Sequence, residues 1–295
     1  MSQPLPERQR TNTLGVVTTL SRNDFNQYWL EVFNGAVEAV SRGGRDTVVF
    51  TLKNWAEDVA RLPALSAGRV DGLLLLAPNL EAPHQRHLPT DLPLVSVHAN
   101  RPLPGVVNLE ADEEAGAFAI VRHMLRLGHR RILHIAGPQG YLNTERRLAG
   151  FTSAHSSARS RPLPGYVVHS DFTVESGRQV MRDWLQAHRG EELPEAIFAA
   201  TDAIAIGCID TLCARSLRIP QDISVVGFDD TALARAARLA TVHQPLHEMG
   251  QRAVELLVQR LNGAEPAPPQ NIVFPTEIVL SHSFSTPRAT SLVIQ

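Results

Sequence analysis

The sequence predicts an α/β protein made of two doubly wound, parallel-sheet lobes, and three observations predict it. Short apolar runs suited to buried strands alternate with helical patterns along nearly the whole chain, which implies parallel sheets with helices on both faces. There are more such strands than one compact doubly wound lobe needs. At 295 residues the chain also exceeds a typical single domain.

The elements follow in order. Leu14–Leu20 is the first strand candidate, followed by a helix from about Tyr28 whose apolar residues include Leu30, Phe33, Val37 and Val40. Gly43-Gly44 ends that helix, and Thr47–Leu52 is the next strand. A short helix leads to strand Leu73–Ala77, closed by Pro78, and Pro93–Val97 forms a further strand. Asp112 opens a helix with Glu113 and Glu114 in its first turn, where carboxylates suit the positive helix end. Strand Ile132–Ala136, a helix around Arg146–Ala154, strand Tyr166–His169 and helix Glu175–His188 come next. Strand Ala196–Ala200, helix Asp202–Ala214 and strand Ile223–Phe228 complete a second series, with the join between the two near Val107–Asp112. The tail adds helix Leu246–Leu261, the proline-rich loop Gly263–Pro269, and a strand at Ile272–Phe274 or Glu277–Leu280. Pattern alone assigns that tail to neither lobe.

Composition is that of an ordinary globular protein, with 43% hydrophobic and 20% charged residues. A formal net charge of −2 argues against a large basic face gripping nucleic acid. The two cysteines, Cys208 and Cys213, lie five apart in a helical stretch with no histidine close behind. They read as buried or half-buried free thiols of a reducing compartment rather than zinc ligands. Met1–Arg10 carries no secretory signature, and no apolar run reaches the roughly 20 residues of a membrane span. The expected compartment is the cytoplasm, with no membrane partner.

Three segments place polar groups just past apolar strands: Glu145–Phe151, Ala200–Gly207 and Val225–Asp230. Ligands of open α/β sheets sit at the carboxyl ends of the strands. Arg147, Thr201, Asp202 and Asp229 are therefore expected to converge, and an arginine fork facing a carboxylate suits a small neutral ligand rich in hydroxyls. The alternative is that these groups cap helices and pair with one another. Tyr28 and Phe172 each stand at a strand–helix junction, where an aromatic ring either stacks on a ligand or staples its helix. Gly-x-Gly-x-x-Gly, Gly-x-x-x-x-Gly-Lys and Gly-x-Ser-x-Gly motifs are missing, and the histidines form no recognisable metal set. Asp229-Asp230 is a carboxylate pair, but neighbours on a loop usually point apart. No enzyme activity, catalytic residue, metal or cofactor is expected.

Taken together, Arg10–Val17, Arg69–Leu73, Asp112–Ala117, Leu127–Ile132, Ala136–Pro138, Arg147–Phe151, Thr201–Gly207, Pro220–Asp230, Thr241–Pro245 and Glu248–Gly250 resemble the effector-binding core of lactose/galactose repressor-family transcription regulators, in order over roughly residues 10–283. The resemblance implies a periplasmic-binding-protein-like fold, two lobes joined by three crossovers with a small polar effector between them. A sugar is expected ahead of a purine. It further implies that Arg147 grips effector hydroxyls, that Asp229 faces it as acceptor, and that Asn143, Phe172, Thr201, His98 and Tyr28 line the pocket. His98 and Thr201 depart from the types common at their positions, aspartate and asparagine, and Ala237–Thr241 replaces a usual proline-rich run.

On this reading residues 1–12 are a residual hinge. Residues 13–109 with about 244–262 form the N-terminal lobe, residues 110–243 with about 263–285 the C-terminal lobe, and 286–295 a tail. The chain is expected to be the sensing and homodimerising core of a regulator whose DNA contact runs through a helix-turn-helix headpiece absent from these residues. Arg8 and Arg10 alone offer too little charge for operator binding. The competing expectation is a solute-binding protein serving a sugar transporter, which shares the fold.

Overall fold

The fully apolar runs become the centres of two parallel sheets. The computed structural model describes residues 10–19, 27–263 and 271–294. Arg8, Leu20, Asp24, Asn26 and residues 264–269 of the proline-rich loop lie outside the described residues.

The first series runs β1 (Thr13–Thr19), α1 (Gln27–Arg42), β2 (Asp46–Leu52), α2 (Trp55–Asp58), α3 (Leu62–Ser66), β3 (Gly72–Leu76), α4 (Ala82–Gln85), β4 (Leu94–Val97) and β5 (Val107–Ala111). The second runs α5 (Glu113–Leu127), β6 (Ile132–Ala136), α6 (Leu142–Ser157), β7 (Val167–His169), α7 (Val174–Ala187), β8 (Ala196–Ala199), α8 (Asp202–Ala214) and β9 (Ser224–Val226). After it come α9 (Ala232–Ala236), β10 (Thr241–His243), α10 (Leu246–Leu261), β11 (Asn271–Phe274) and β12 (Glu277–Val279). The first sheet has the order β11-β5-β4-β3-β1-β2 and the second β7-β6-β8-β9, while β10 and β12 pair antiparallel. Every residue of β3 and of β6 is buried, as strands covered on both faces require.

Local chemistry sets the helix ends. Asp112 accepts the Ala115 N–H at the start of α5, and Gly128 closes it with a left-handed φ of 105°. Thr173 and Ser176 form a reciprocal capping box on α7, and Thr201 caps α8. In the second sheet the side chains alternate between two cores. Leu133, Ile135, Ile197 and Ala199 pack under α7 and α8, whereas Ile132, Ala196 and Phe198 pack under α5 and α6.

Glycines permit the closest helix approaches. A Cβ at Gly207 would lie 2.1 Å from the Val174 carbonyl oxygen, and one at Gly150 would lie 2.3 Å from that of Glu114. Both obstacles are backbone and cannot swing aside. Gly207→Ala is therefore expected to destabilise the fold by about 1–3 kcal/mol, the usual range for overpacking. Urea titration checks this through a lower midpoint at unchanged m-value.

The described residues divide into two units. One holds β1, Glu31–Glu110 and α10 through Val273; the other holds Ala111–Leu246, the residues from Phe274 onward, and the first turn of α1 up to Leu30. Apart from that first turn, the chain passes between units at Glu110–Ala111, Leu246–His247 and Val273–Phe274.

Three stretches differ from the sequence expectation. Val107–Ala111 is a fifth parallel strand rather than a bare join. Its polar Asn108 and Glu110 obscure it, yet both are buried, because Asn108 accepts from the Ser96 hydroxyl and the Ala99 N–H and donates to Glu110, each at 3.0 Å. The strand at 271–274 edges the first sheet instead of joining the C-terminal lobe. Residues 286–294 are no loose tail. Leu193 N–H donates to Leu292 O at 2.7 Å, Gly190 N–H donates to Ile294 O at 2.9 Å, and Ile294 is buried. Cys208 is buried and Cys213 is exposed, outside the expected half-buried range; both are free.

Candidate functional site

In the second sheet the chain goes from β6 outward to β7, then returns to the other side of β6 for β8. The switch point therefore lies between β6 and β8, and the crevice beyond their carboxyl ends is where such sheets hold ligands. Four connections open onto it: Gly137–Tyr141 into α6, Ser170–Thr173 into α7, Ala200–Thr201 into α8, and Gly227–Thr231 after β9.

Arg147, one turn into α6, is the centre of the site and is only 2% exposed. Its Nη1 donates to the Ala200 carbonyl at the end of β8. Its Nη2 donates to Glu113 Oε1 at 2.6 Å and lies 3.6 Å from Asp229 Oδ1. The guanidinium carbon sits 4.2 Å from the centroid of the Phe228 ring, which fixes the plane of the fork. Asp229 Oδ1 also accepts from Gln244 Nε2 at 2.6 Å. The turn after β9 is what aims it: Asp229 and Asp230 have φ of 122° and 59°, conformations that non-glycine residues rarely adopt and that concentrate at functional sites. The same turn sends Asp230 the other way, to His243 Nδ1 at 2.9 Å.

Electrostatics follow from this packing. Burial pushes the Asp229 carboxyl well up, with Arg147 pulling it back down. Two carboxyl groups face one guanidinium, and the upward shift at Asp229 relieves that surplus by favouring its uncharged form. Burial likewise pushes the Tyr28 hydroxyl well up, reinforced by Glu113 and then Asp229, which places Tyr28 beside the same cluster. Tyr28 as a residue is half-buried. Four buried polar atoms around this cluster have no hydrogen-bond partner: Glu113 Oε2, Arg147 Nε, Gln244 Oε1 and Thr144 Oγ1. A buried polar atom left so costs about 1–3 kcal/mol. Both donors and acceptors are offered, with no surplus cation.

Of the seven residues expected from sequence, the structure brings Arg147, Asp229 and Tyr28 together. Phe172 lies over Gly137, where an added Cβ would approach the ring to 2.2 Å, and meets Tyr141 edge-on at 5.9 Å. Asn143 is half-buried one turn before Arg147, its Oδ1 accepting from Thr144 N–H at 2.8 Å. The Thr201 hydroxyl accepts from Ile204 N–H at 3.3 Å, so this residue caps α8 as the alternative reading allowed. His98 belongs to the other unit, at the end of β4 with a φ of 50°. Asp202 is a staple within its own unit, accepting from Thr231 N–H, Thr231 Oγ1 and Thr241 Oγ1 at 2.8, 3.0 and 2.6 Å.

Sequence reasoning missed Glu113, Gln244 and Thr144. Glu113 reads as an ordinary first-turn carboxylate, and Gln244 had no helix or strand to aim it. For Glu113 and Gln244 the available signal was their presence inside the matched segments Asp112–Ala117 and Thr241–Pro245; Thr144 lies in none of the matched segments. Among the described residues no group of three or more His, Cys, Asp or Glu is placed to hold a metal, and no helix is long and apolar enough to cross a membrane.

The periplasmic binding protein-like domain family matches residues 121–284. The HTH-type transcriptional regulator CelR of Thermobifida fusca is 31% identical over 93% of this chain and 82% of its own. The ribose operon repressor of Escherichia coli K12 is 32% identical over 85% of this chain and 76% of its own. Among solved structures, a CelR–cellobiose complex superimposes with a TM-score of 0.82 at 29% identity, over 94% of this chain and 86% of the other. A LacI transcriptional regulator from a Rhodococcus species gives 0.79 at 27% identity, over 94% and 99%. The relatives are transcriptional regulators rather than transport proteins or enzymes, and the chain belongs to the LacI family of transcriptional regulators, built on the periplasmic binding protein-like domain.

Proposed function

We propose that this chain senses a neutral, polyhydroxylated effector, a mono- or disaccharide, at the cluster of Arg147, Glu113, Asp229 and Gln244. The observation that carries the reading is the set of buried, unpartnered donors and acceptors around an arginine whose charge is already balanced. Hydroxyl groups, each both donor and acceptor, satisfy such a set; a carboxylate or phosphate meets no free cation there. The CelR complex holds cellobiose, which supports a sugar for this relative. Tyr28 and Phe172 supply apolar faces for a sugar ring, and Asn143 and Thr201 further polar contacts. Occupancy shifts the conformational equilibrium of the core and so the operator affinity of the regulator. DNA reading is assigned to a helix-turn-helix unit of the kind the relatives are named for. The regulator works in the cytoplasm as a homodimer, which sedimentation at micromolar concentration checks: a 32.3 kDa monomer contradicts it.

Thermal-shift screening tests the ligand class with cellobiose, ribose, other common saccharides, and adenine and guanine. A ligand at 100 times its dissociation constant adds about 2.7 kcal/mol of stability. At least one saccharide is expected to raise the melting temperature. A shift with the purines alone, or with none of the compounds, contradicts the assignment.

A further inference from the structure

A second concave site of opposite electrostatic character lies in the same unit, at the C-terminal ends of α5 and α6. It is a cavity of about 500 Å³ lined by Arg122, Arg126, Arg130, Arg159, Ser157 and Ser160, among others. All four arginines are exposed, and none pairs with a carboxylate among the described residues. Four unpaired guanidinium groups around one hollow are unusual in a chain whose net charge is −2. Arg122 and Arg126 repeat at the i, i+4 spacing where like charges repel.

The helix ends do not explain the cluster. Two helix C-termini contribute a charge of about −1 together, which leaves a surplus near +3 against four arginines. Several of the carbonyls at these ends are moreover already occupied. Arg130 Nη1 donates to Leu125 O at 2.8 Å and His129 O at 3.1 Å. The Ser157 hydroxyl donates to Ala154 O at 2.8 Å, and that of Ser160 to His155 O at 3.2 Å. Helix-end oxygens that would repel an anion are thus screened. Arg122 is steadied by the Phe118 ring, 5.7 Å from its guanidinium carbon.

We propose that this groove binds a small multivalent phosphate compound, at a site separate from the effector cluster. Its volume falls in the range of roughly 300–1,000 Å³ typical of small-molecule sites. Planar guanidinium forks match phosphate oxygens two at a time, which is why arginine rather than lysine suits this task. A single phosphate engages only part of the set, so several linked phosphates are favoured over one.

Isothermal titration with sodium tripolyphosphate at physiological salt tests the proposal, with orthophosphate and a random-sequence DNA duplex as comparators. Tripolyphosphate is expected to bind with a submillimolar dissociation constant, at least tenfold tighter than orthophosphate. The affinity should fall at least tenfold in Arg126→Ser/Arg159→Ser, while Arg126→Lys/Arg159→Lys retains most of it. These side chains are exposed, so folding is checked by circular dichroism and is expected unchanged. Absence of binding at millimolar tripolyphosphate, or equal affinity in the serine variant, overturns the proposal. Duplex DNA binding tighter than tripolyphosphate at these arginines also overturns it, in favour of a nucleic-acid surface.

Discussion

Arg147→Ala is expected to destabilise the folded chain by about 3–5 kcal/mol, the loss typical when one partner of a buried ion pair is removed. The pair is Arg147 with Glu113, whose side chains are 3% and 1% exposed. Alanine leaves the Glu113 carboxylate buried without its countercharge, and Glu113 Oε2 has no other partner. The sequence alone casts Arg147 and Asp229 as non-core residues whose removal spares the fold; their burial, 2% and 3% exposed, corrects that expectation. For a protein of this size each kcal/mol moves the melting temperature by about 2–4 °C. Replacing both partners, in Glu113→Gln/Arg147→Met, should recover at least half the loss, because no unpaired charge then remains. A single variant that melts with wild type would show that the pair is not held out of water.

Acidification should expose the second large effect, at His134. This ring is fully buried, stacked between Phe151 and Phe198 with centroids at 4.9 and 4.8 Å. Its Nδ1 bonds the Phe198 carbonyl at 2.9 Å, and Nε2 has no partner. Burial is the main cause that pushes its pKa down from 6.5 to about 4, aided by the nearby His169, Arg147 and His155 and opposed by the Phe198 bond. The folded value lies below the unfolded one, so between pH 6.5 and 4 the unfolded chain binds more protons. Stability from this group is full above pH 6.5 and is lost as pH falls toward 4, by about 3 kcal/mol in total. His129 and His155 are lowered too, chiefly by burial, and act in the same sense.

The buried carboxyls work against them. Burial raises Asp202 to about 6 and lifts Asp229 well up, so both gain protons more readily when folded and favour the native state on acidification. The two groups of residues act in opposite senses, and the raw stability curve does not isolate either. A difference measurement does. His134→Phe keeps the stacking and is expected to lose about 1 kcal/mol at pH 7 with the Phe198 hydrogen bond. By pH 5 wild type should have lost about 2 kcal/mol more than the variant. Parallel stability curves for the two proteins would contradict a buried neutral His134.

What the sequence makes legible, and what it does not, follows from locality. Ile132–Ala136, Asp202–Ala214 and Leu246–Leu261 appear with their expected bounds because continuous apolar runs and caps are local signals. β5 stayed hidden because Asn108 and Glu110 break its apolar run; Asn108 accepts from Ser96 and Ala99 on the neighbouring chain segment and donates to Glu110, contacts that no local pattern records. Arg147 and Asp229 are expected to converge because each follows a recognisable strand, and they lie 3.6 Å apart. Glu113 is not expected there, since its role as partner to Arg147 rests on a contact between α5 and α6 that no spacing records. Thr201 carries both readings. Its position at the strand end fits a ligand contact, and the structure uses its hydroxyl as a helix cap.

Calorimetric titration of wild type and Asp229→Asn with cellobiose and ribose, each repeated in the presence of ribose 5-phosphate, tests the effector site most directly. Asparagine keeps the shape of a carboxyl already pushed toward its neutral form, so the fold should survive and binding alone should respond. The account predicts that a neutral saccharide binds wild type and is not displaced by the phosphorylated sugar. It also predicts about ten- to hundredfold weaker binding in the variant, because the amide nitrogen only donates where a carboxyl oxygen can accept, and one buried hydrogen bond is lost. Displacement of the neutral saccharide by ribose 5-phosphate, or equal affinity in wild type and Asp229→Asn, would contradict it.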